Sequence, residues 1–345
     1  MEANNGSGVN ENKIPESILP QRFELVNADS RCSLDDDIVI SGLSGRFPES
    51  RNVEEFKQNL FKGVDLITED DRKRAVDTPG IPSRMGKISG LEFFDAGFFR
   101  IHAKQAAAMD PQSRVLLEHT YEAIIDSGTN PVDVRGSRTG VFIGVNVNES
   151  YYKWFPDLES GVNNQYGLLG CNRAMFANRI SYTFDFKGPS FALDTASSSS
   201  MYALQQAHFA MRHGLCDAAI VGGTNIIMDP VTSLHLAKLN MLSSDGKSKT
   251  FDISGDGYAR SEAAVVVYLQ RVSKAKRVYA TIVNSGVNAD GAKEEGITYP
   301  SGSMQTKLMK ETFAEVNLDP REVAYVEAHG TGTPVSKALK FALTT

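Results

Sequence analysis

FALDTASSSSMYALQQAHFAMR, residues 191–212, is the stretch whose reading decides the fold. Phe191 to Thr195 is an apolar run entering a turn, which predicts a short strand. Ser198 to Arg212 predicts a helix with Met201, Leu204, His208 and Met211 on one stripe, closed by Gly214. A strand that passes through small hydroxyl residues into a helix is a βα junction. The N-terminus of that helix offers free backbone N–H groups and the positive end of the dipole. Such a setting lowers the pKa of a thiol and stabilises an oxyanion. Ser197, the middle of Asp194-Thr195-Ala196-Ser197-Ser198-Ser199-Ser200, is therefore the candidate nucleophile position. A plainer reading is available from the same residues: a serine cluster that caps a helix.

Outward from this junction, strands and helices alternate. Val53–Phe61 and Gln112–Ser127 read as helices; Thr139–Val145 and Ala218–Val221 read as strands. Ile38-Val39-Ile40, ending at Gly42, predicts a short buried strand. Ala263–Leu269 is nearly all apolar and predicts a strand covered on both sides. Val278–Val283 opens a second series, Met304–Val316 is a helix, and Val323–Ala328 is expected as the last strand. The alternation predicts an α/β architecture with layered sheets. Residues 1–36, rich in Asn, Ser, Glu and Pro, are expected to be a flexible extension.

The 345 residues carry a net charge of −6, which argues against a nucleic-acid or anionic-membrane footprint. No run approaches the roughly 20 apolar residues of a membrane span. Met1–Asp35 has no cationic start followed by an apolar run, so no secretory signal is expected and the cytoplasm is the default location. Three cysteines without C-x-x-C spacing exclude a disulfide framework and a cysteine zinc site; no metal is expected.

A second candidate follows the last expected strand, in Glu327-Ala328-His329-Gly330-Thr331-Gly332-Thr333-Pro334. A histidine at a strand end beside a glycine-threonine loop can present its imidazole to a cleft; a packed histidine before an ordinary turn is the alternative. His102, His119, His208, His213 and His235 stand singly and read as structural or solvent-facing. Gly246-Lys247-Ser248 lacks the earlier glycine of a phosphate loop, and no G-x-S-x-G or G-x-G-x-x-G supports a nucleophile elbow or a dinucleotide site.

The two motifs occur in order with others: Ile40-Ser41-Gly42-Leu43-Ser44-Gly45-Arg46-Phe47-Pro48, Met109-Asp110-Pro111-Gln112-Ser113-Arg114, Gly188-Pro189-Ser190, Ser244-Asp245-Gly246, and Gly257-Tyr258-Ala259-Arg260-Ser261-Glu262. Across residues 37–334 the chain resembles β-ketoacyl synthases. Arg260-Ser261-Glu262-Ala263, Arg277-Val278-Tyr279-Ala280-Thr281 and Thr68-Glu69-Asp70-Asp71-Arg72 resemble most the animal-type fatty acid synthase.

The resemblance implies a thiolase-like layered α/β/α/β/α fold. Residues 37–272 would form a complete N-terminal half, and residues 273–345 a truncated C-terminal half. It implies decarboxylative condensation of malonyl with acyl thioesters, both carried on the phosphopantetheine of an acyl carrier protein, with no cofactor bound directly. It further implies a homodimer, or pairing with an intact synthase. Ser197 matches the acyl-accepting cysteine, His329 the first of two histidines, and Thr331 and Thr333 the threonines that hold the pantetheine arm.

Two departures predict impaired turnover. Serine replaces cysteine at residue 197, and Val335-Ser336-Lys337 stands where the family has a Gly-Asp-Pro element. The family's second histidine, lysine and glycine-rich oxyanion loop would lie past Thr345. Without that portion, Val278–Val283 and Val323–Ala328 are expected to lack partners. A catalytically silent condensing-like protein that binds acyl carrier protein is the alternative from the binding class. A serine acyl hydrolase using Ser197 and His329 is the third reading; no third group to orient the histidine is visible.

Overall fold

The structure, a computed structural model, describes residues 37–69, 79–154 and 165–333. The extension expected over 1–36 and the departure after Pro334 lie outside these residues. In chain order the elements are β1 (Ile38–Arg46), α1 (Val53–Phe61), α2 (Ala103–Ala107), α3 (Pro111–Asp126), β2 (Thr139–Val145), α4 (Glu149–Trp154), α5 (Gly167–Cys171), α6 (Met175–Phe184), β3 (Ser190–Leu193), α7 (Ser199–Arg212), β4 (Ala218–Asn225), α8 (Pro230–Lys238), β5 (Ala263–Arg271), β6 (Ala280–Thr281) and α9 (Gly302–Ala314). Local chemistry fixes their ends. The Asp110 carboxylate accepts from the Gln112 amide at 2.7 Å and Pro111 opens α3. Asn52 accepts from the Glu55 amide at 2.8 Å to start α1.

One six-stranded sheet has the order β3-β2-β4-β5-β1-β6. β2 runs parallel to β3 and β4, whereas β5 runs antiparallel to β4 and β1. On one face, α3 and α6 bury Leu116, Leu117, Phe176 and Ile180 against Val141, Ile143, Val266 and Tyr268. On the other, α7 lays Ala203, Ala207, Ala210 and Met211 against Phe142, Ala219, Val221 and Leu269.

This second face corrects two expectations. Of the stripe expected on α7, Met211 and His208 are buried and Leu204 packs beside them, but Ala203, Ala207 and Ala210 supply the rest of the inward face and Met201 is 63% exposed. Small side chains let the helix axis approach the strands closely, so the bulkier Met201 stays outside. β5 is also not covered on both sides: Val266 and Tyr268 are buried, but Val265 and Val267 are half-buried and border an open cleft.

Val278–Val283 contributes only Ala280 and Thr281 as a strand, paired to Ile40 and Val39 of β1. Val323–Ala328 forms no strand among the described residues, and Tyr325 and Val326 are exposed. An apolar run becomes a strand only where a neighbouring backbone pairs with its N–H and C=O groups. No strand lies beside Val323–Ala328 among the described residues.

Candidate active site

The junction after β3 is a tight knot of hydroxyl and carboxylate bonds. Ala196 adopts a left-handed φ of 56°, unusual for a residue with a β-carbon. Its amide donates to Asp194 Oδ1 at 3.0 Å. The Thr195 amide donates to Ser199 Oγ at 2.9 Å, and Ser199 Oγ donates to the Ala196 carbonyl at 2.6 Å. Ser198 is the N-cap of α7, yet its hydroxyl caps nothing; it donates back to the Thr195 carbonyl at 2.9 Å. The serines therefore tie the turn together rather than cap the helix. Within residues 194–199 the Ser197 hydroxyl alone has no hydrogen-bond partner among the described residues, and Ser197 is exposed.

Glycine seats this turn on the sheet. A Cβ on Gly144 of β2 would meet the Ser199 carbonyl carbon and the Ser200 nitrogen at 2.5 Å, so only glycine admits the first turn of α7 there.

The His329 loop is held by a different segment. Thr250 Oγ1 donates to the Gly330 carbonyl. Lys249 sits between Asp245 and Asp256, at 2.9 Å from each. The bonds from Lys249, then from Ser244 and Ser243, hold the Asp256 carboxyl well below the usual range. Gly330 and Gly332 take left-handed φ values of 57° and 70°. His329 is exposed and makes no hydrogen bond among the described residues.

Both segments border one open cleft of about 1660 Å³. Ser197, His329, Thr331 and Thr333 all line it, with Met201 and the uncovered Val265 and Val267 as apolar wall. The four residues singled out in the sequence, 132 positions apart at Ser197 and His329, thus share one cavity. Sequence reasoning missed Arg173, Asn146 and Thr250, which hold the two loops. None carries a local signal, because each acts on a partner distant in the chain.

Among the described residues, the two cysteines and the histidines other than His329 stay out of the cleft. Burial pushes the thiols of Cys171 and Cys216 up to about 11, so neither is a nucleophile at neutral pH. His208 is buried with Nδ1 2.7 Å from Ser285 Oγ, and desolvation lowers its pKa to about 4. His119 is buried against Ser44 at 2.8 Å, and His102 caps α2. Among the described residues no group of three His, Cys, Asp or Glu side chains could hold a metal, and no helix is long and apolar enough to cross a membrane.

A strand-to-helix serine turn and a histidine-threonine loop facing one cleft, on this mixed α/β sheet, match the thiolase-like fold of solved ketosynthases. Residues 35–275 match the β-ketoacyl synthase N-terminal domain and residues 279–339 its C-terminal domain; the chain belongs to this family. It is similar to the fatty acid synthase of the goose Anser anser anser, with 53% identity over 300 residues, 87% of this chain and 85% of that protein. It is 37% identical to polyketide synthase PksM of Bacillus subtilis, covering 88% of this chain and 8% of that protein. Among solved structures, the oxazolomycin ketosynthase domain from Streptomyces albus matches with TM-score 0.79 and 35% identity, over 89% of this chain and 55% of that one. The ketosynthase from module 6 of the Bacillus subtilis bacillaene synthase matches with TM-score 0.80 and 33% identity, over 89% and 53%. The chain thus spans about half the length of these ketosynthases. Its sequence is that of a fatty acid synthase ketosynthase region.

Proposed function

We propose that the cleft binds acyl and malonyl thioesters carried on the phosphopantetheine of acyl carrier protein, that Ser197 is its acyl acceptor, and that turnover to β-ketoacyl product is impaired. The observation that carries this reading is the convergence of Ser197, His329, Thr331 and Thr333 on one cavity at the N-terminus of α7.

In the transfer step, Ser197 Oγ attacks the thioester carbonyl carbon. A C–O bond forms, the C–S bond breaks, and the hydroxyl proton ends on the released thiol. Thr331 and Thr333 bond the pantetheine arm, and His329 assists decarboxylation of the malonyl group. Serine makes the first step slow: the helix terminus that ionises a thiol leaves an alcohol protonated. No side chain among the described residues bonds the Ser197 hydroxyl to act as base. The oxyester formed has a poorer leaving group than a thioester, which slows the condensation that follows.

The same hydroxyl, without a partner among the described residues, supports a second reading, a silent condensing-like protein that holds acyl carrier protein or pairs with an intact synthase. β3 lies at the edge of the sheet and pairs only with β2 among the described residues, which supports association through that edge, as a homodimer or with a synthase. A cytoplasmic location suits both readings.

Intact-protein mass spectrometry after incubation with acyl-charged carrier protein separates them. A stable acyl adduct on Ser197, lost in Ser197→Ala, is expected. Carrier binding without any adduct would favour the silent binder. Steady thioester hydrolysis lost in Ser197→Ala would overturn both in favour of a hydrolase.

A further inference from the structure

The turn that presents Ser197 is held from outside itself. Arg173, on the short connection between α5 and α6, donates from Nη1 to Asp194 Oδ2 at 2.8 Å and from Nη2 to the Asn146 carbonyl at 2.7 Å. Asp194 spends its other oxygen, Oδ1, on the Ala196 amide. Ala196 in turn carries the left-handed φ that L-residues disfavour, directly before Ser197. Asn146, Ala196 and Ser197 border the cleft, whereas Arg173 does not. One planar guanidinium thus ties the loop after β2 to the turn after β3 and props a disfavoured backbone conformation through a carboxylate.

We propose that Arg173 is a positioning residue for Ser197: its two-pronged bond to Asp194 and Asn146 fixes the turn so that residue 197 sits at the N-terminus of α7, facing the cleft. The proposal rests on the reading of Ser197 as the acyl-accepting position. The guanidinium fork suits the task because two donors in one plane hold two acceptors in fixed relation. A lysine keeps the charge but cannot reproduce that plane. The Arg173 and Asp194 side chains are 41% and 31% exposed, so geometry rather than buried charge is the working element.

The test does not require acyl transfer. In the full chain carrying Ser197→Cys, iodoacetamide alkylation of the introduced thiol is followed by peptide mass spectrometry from pH 5 to pH 10. Adding Arg173→Ala is expected to raise the pH midpoint and slow alkylation at neutral pH by about tenfold, the effect of about one pKa unit. Arg173→Lys is expected to restore neither. Thermal unfolding of the variants reports whether each folds, and the folded Arg173→Lys protein decides the matter should Arg173→Ala not fold. An unchanged rate and midpoint in Arg173→Ala, or full rescue by Arg173→Lys, would overturn the proposal. Absence of a Ser197 acyl adduct alongside Arg173-dependent alkylation would sink the acyl-acceptor reading and leave the positioning role standing.

Discussion

Gly144 on β2 and Ser200 on α7 approach so closely that a Cβ on the glycine would stand 2.5 Å from the serine's backbone nitrogen. The helix that presents Ser197 is therefore seated on bare backbone. Gly144→Ala should push the first turn of α7 off the strand and cost about 1–3 kcal/mol. Urea denaturation would read the loss, and slower labelling of the introduced thiol in Ser197→Cys would report the displaced turn.

The alanine face of α7 makes a paired prediction. Ala207 is fully buried against the sheet, whereas Met201 is largely exposed at the cleft. Ala207→Leu should destabilise by about 1–3 kcal/mol through overpacking. Met201→Ala should stay within about 0.5 kcal/mol of the parent. Equal effects in denaturant titrations would mean that the helix is rotated from the orientation described.

Asp110 is buried at the start of α3, and desolvation raises its carboxyl from 3.8 to about 6. A raised acid binds more protons folded than unfolded between those values, so stability falls as pH rises from about 4 to about 6. The loss approaches about 3 kcal/mol at neutral pH, from about two pKa units. Asp110→Asn keeps the cap and removes the charge. It should be the more stable protein at pH 7, and its advantage should vanish near pH 4.

His208 has the opposite linkage in the same range. Its pKa is lowered from 6.5 to about 4, first by desolvation and then by Arg212. The unfolded chain takes up the proton first on acidification, so this contribution is present above 6.5 and lost as pH falls to about 4. His208→Gln should flatten that acid limb. An unchanged difference between parent and variant from pH 7 to pH 4 would exclude the linkage.

Thr250 anchors the loop that carries His329 through one hydroxyl bond to Gly330. Thr250→Val should cost about 0.5–1.5 kcal/mol locally. Hydrogen exchange should quicken at the amides of Gly330–Thr333 while those of β2 and β4 keep their protection.

Local chemistry made much of the framework legible. The apolar spacing of Val53–Phe61 and the run Thr139–Val145 gave elements with those bounds, because each is settled by its own residues and caps. Likewise, Asp194–Ser200 and His329–Thr333 could be singled out from residue types alone. The antiparallel half of the sheet could not, since a run such as Ala263–Leu269 reads the same whichever way its neighbours point. Nor could the fate of Val323–Ala328, whose residues favour a strand that no neighbour among the described residues completes.

By itself, then, the order of residues determined elements such as Val53–Phe61 and Thr139–Val145 and marked Ser197 and His329 as candidate residues. Only tertiary structure decided that Ala203, Ala207 and Ala210 face the sheet while Met201 does not, that Ser197 and His329 share a cavity, and that Arg173 props the turn between two distant loops. The physical reason is range. Caps and periodicity act over a few residues, whereas close packing, strand pairing and a bridging guanidinium depend on partners that folding alone brings within a few ångströms.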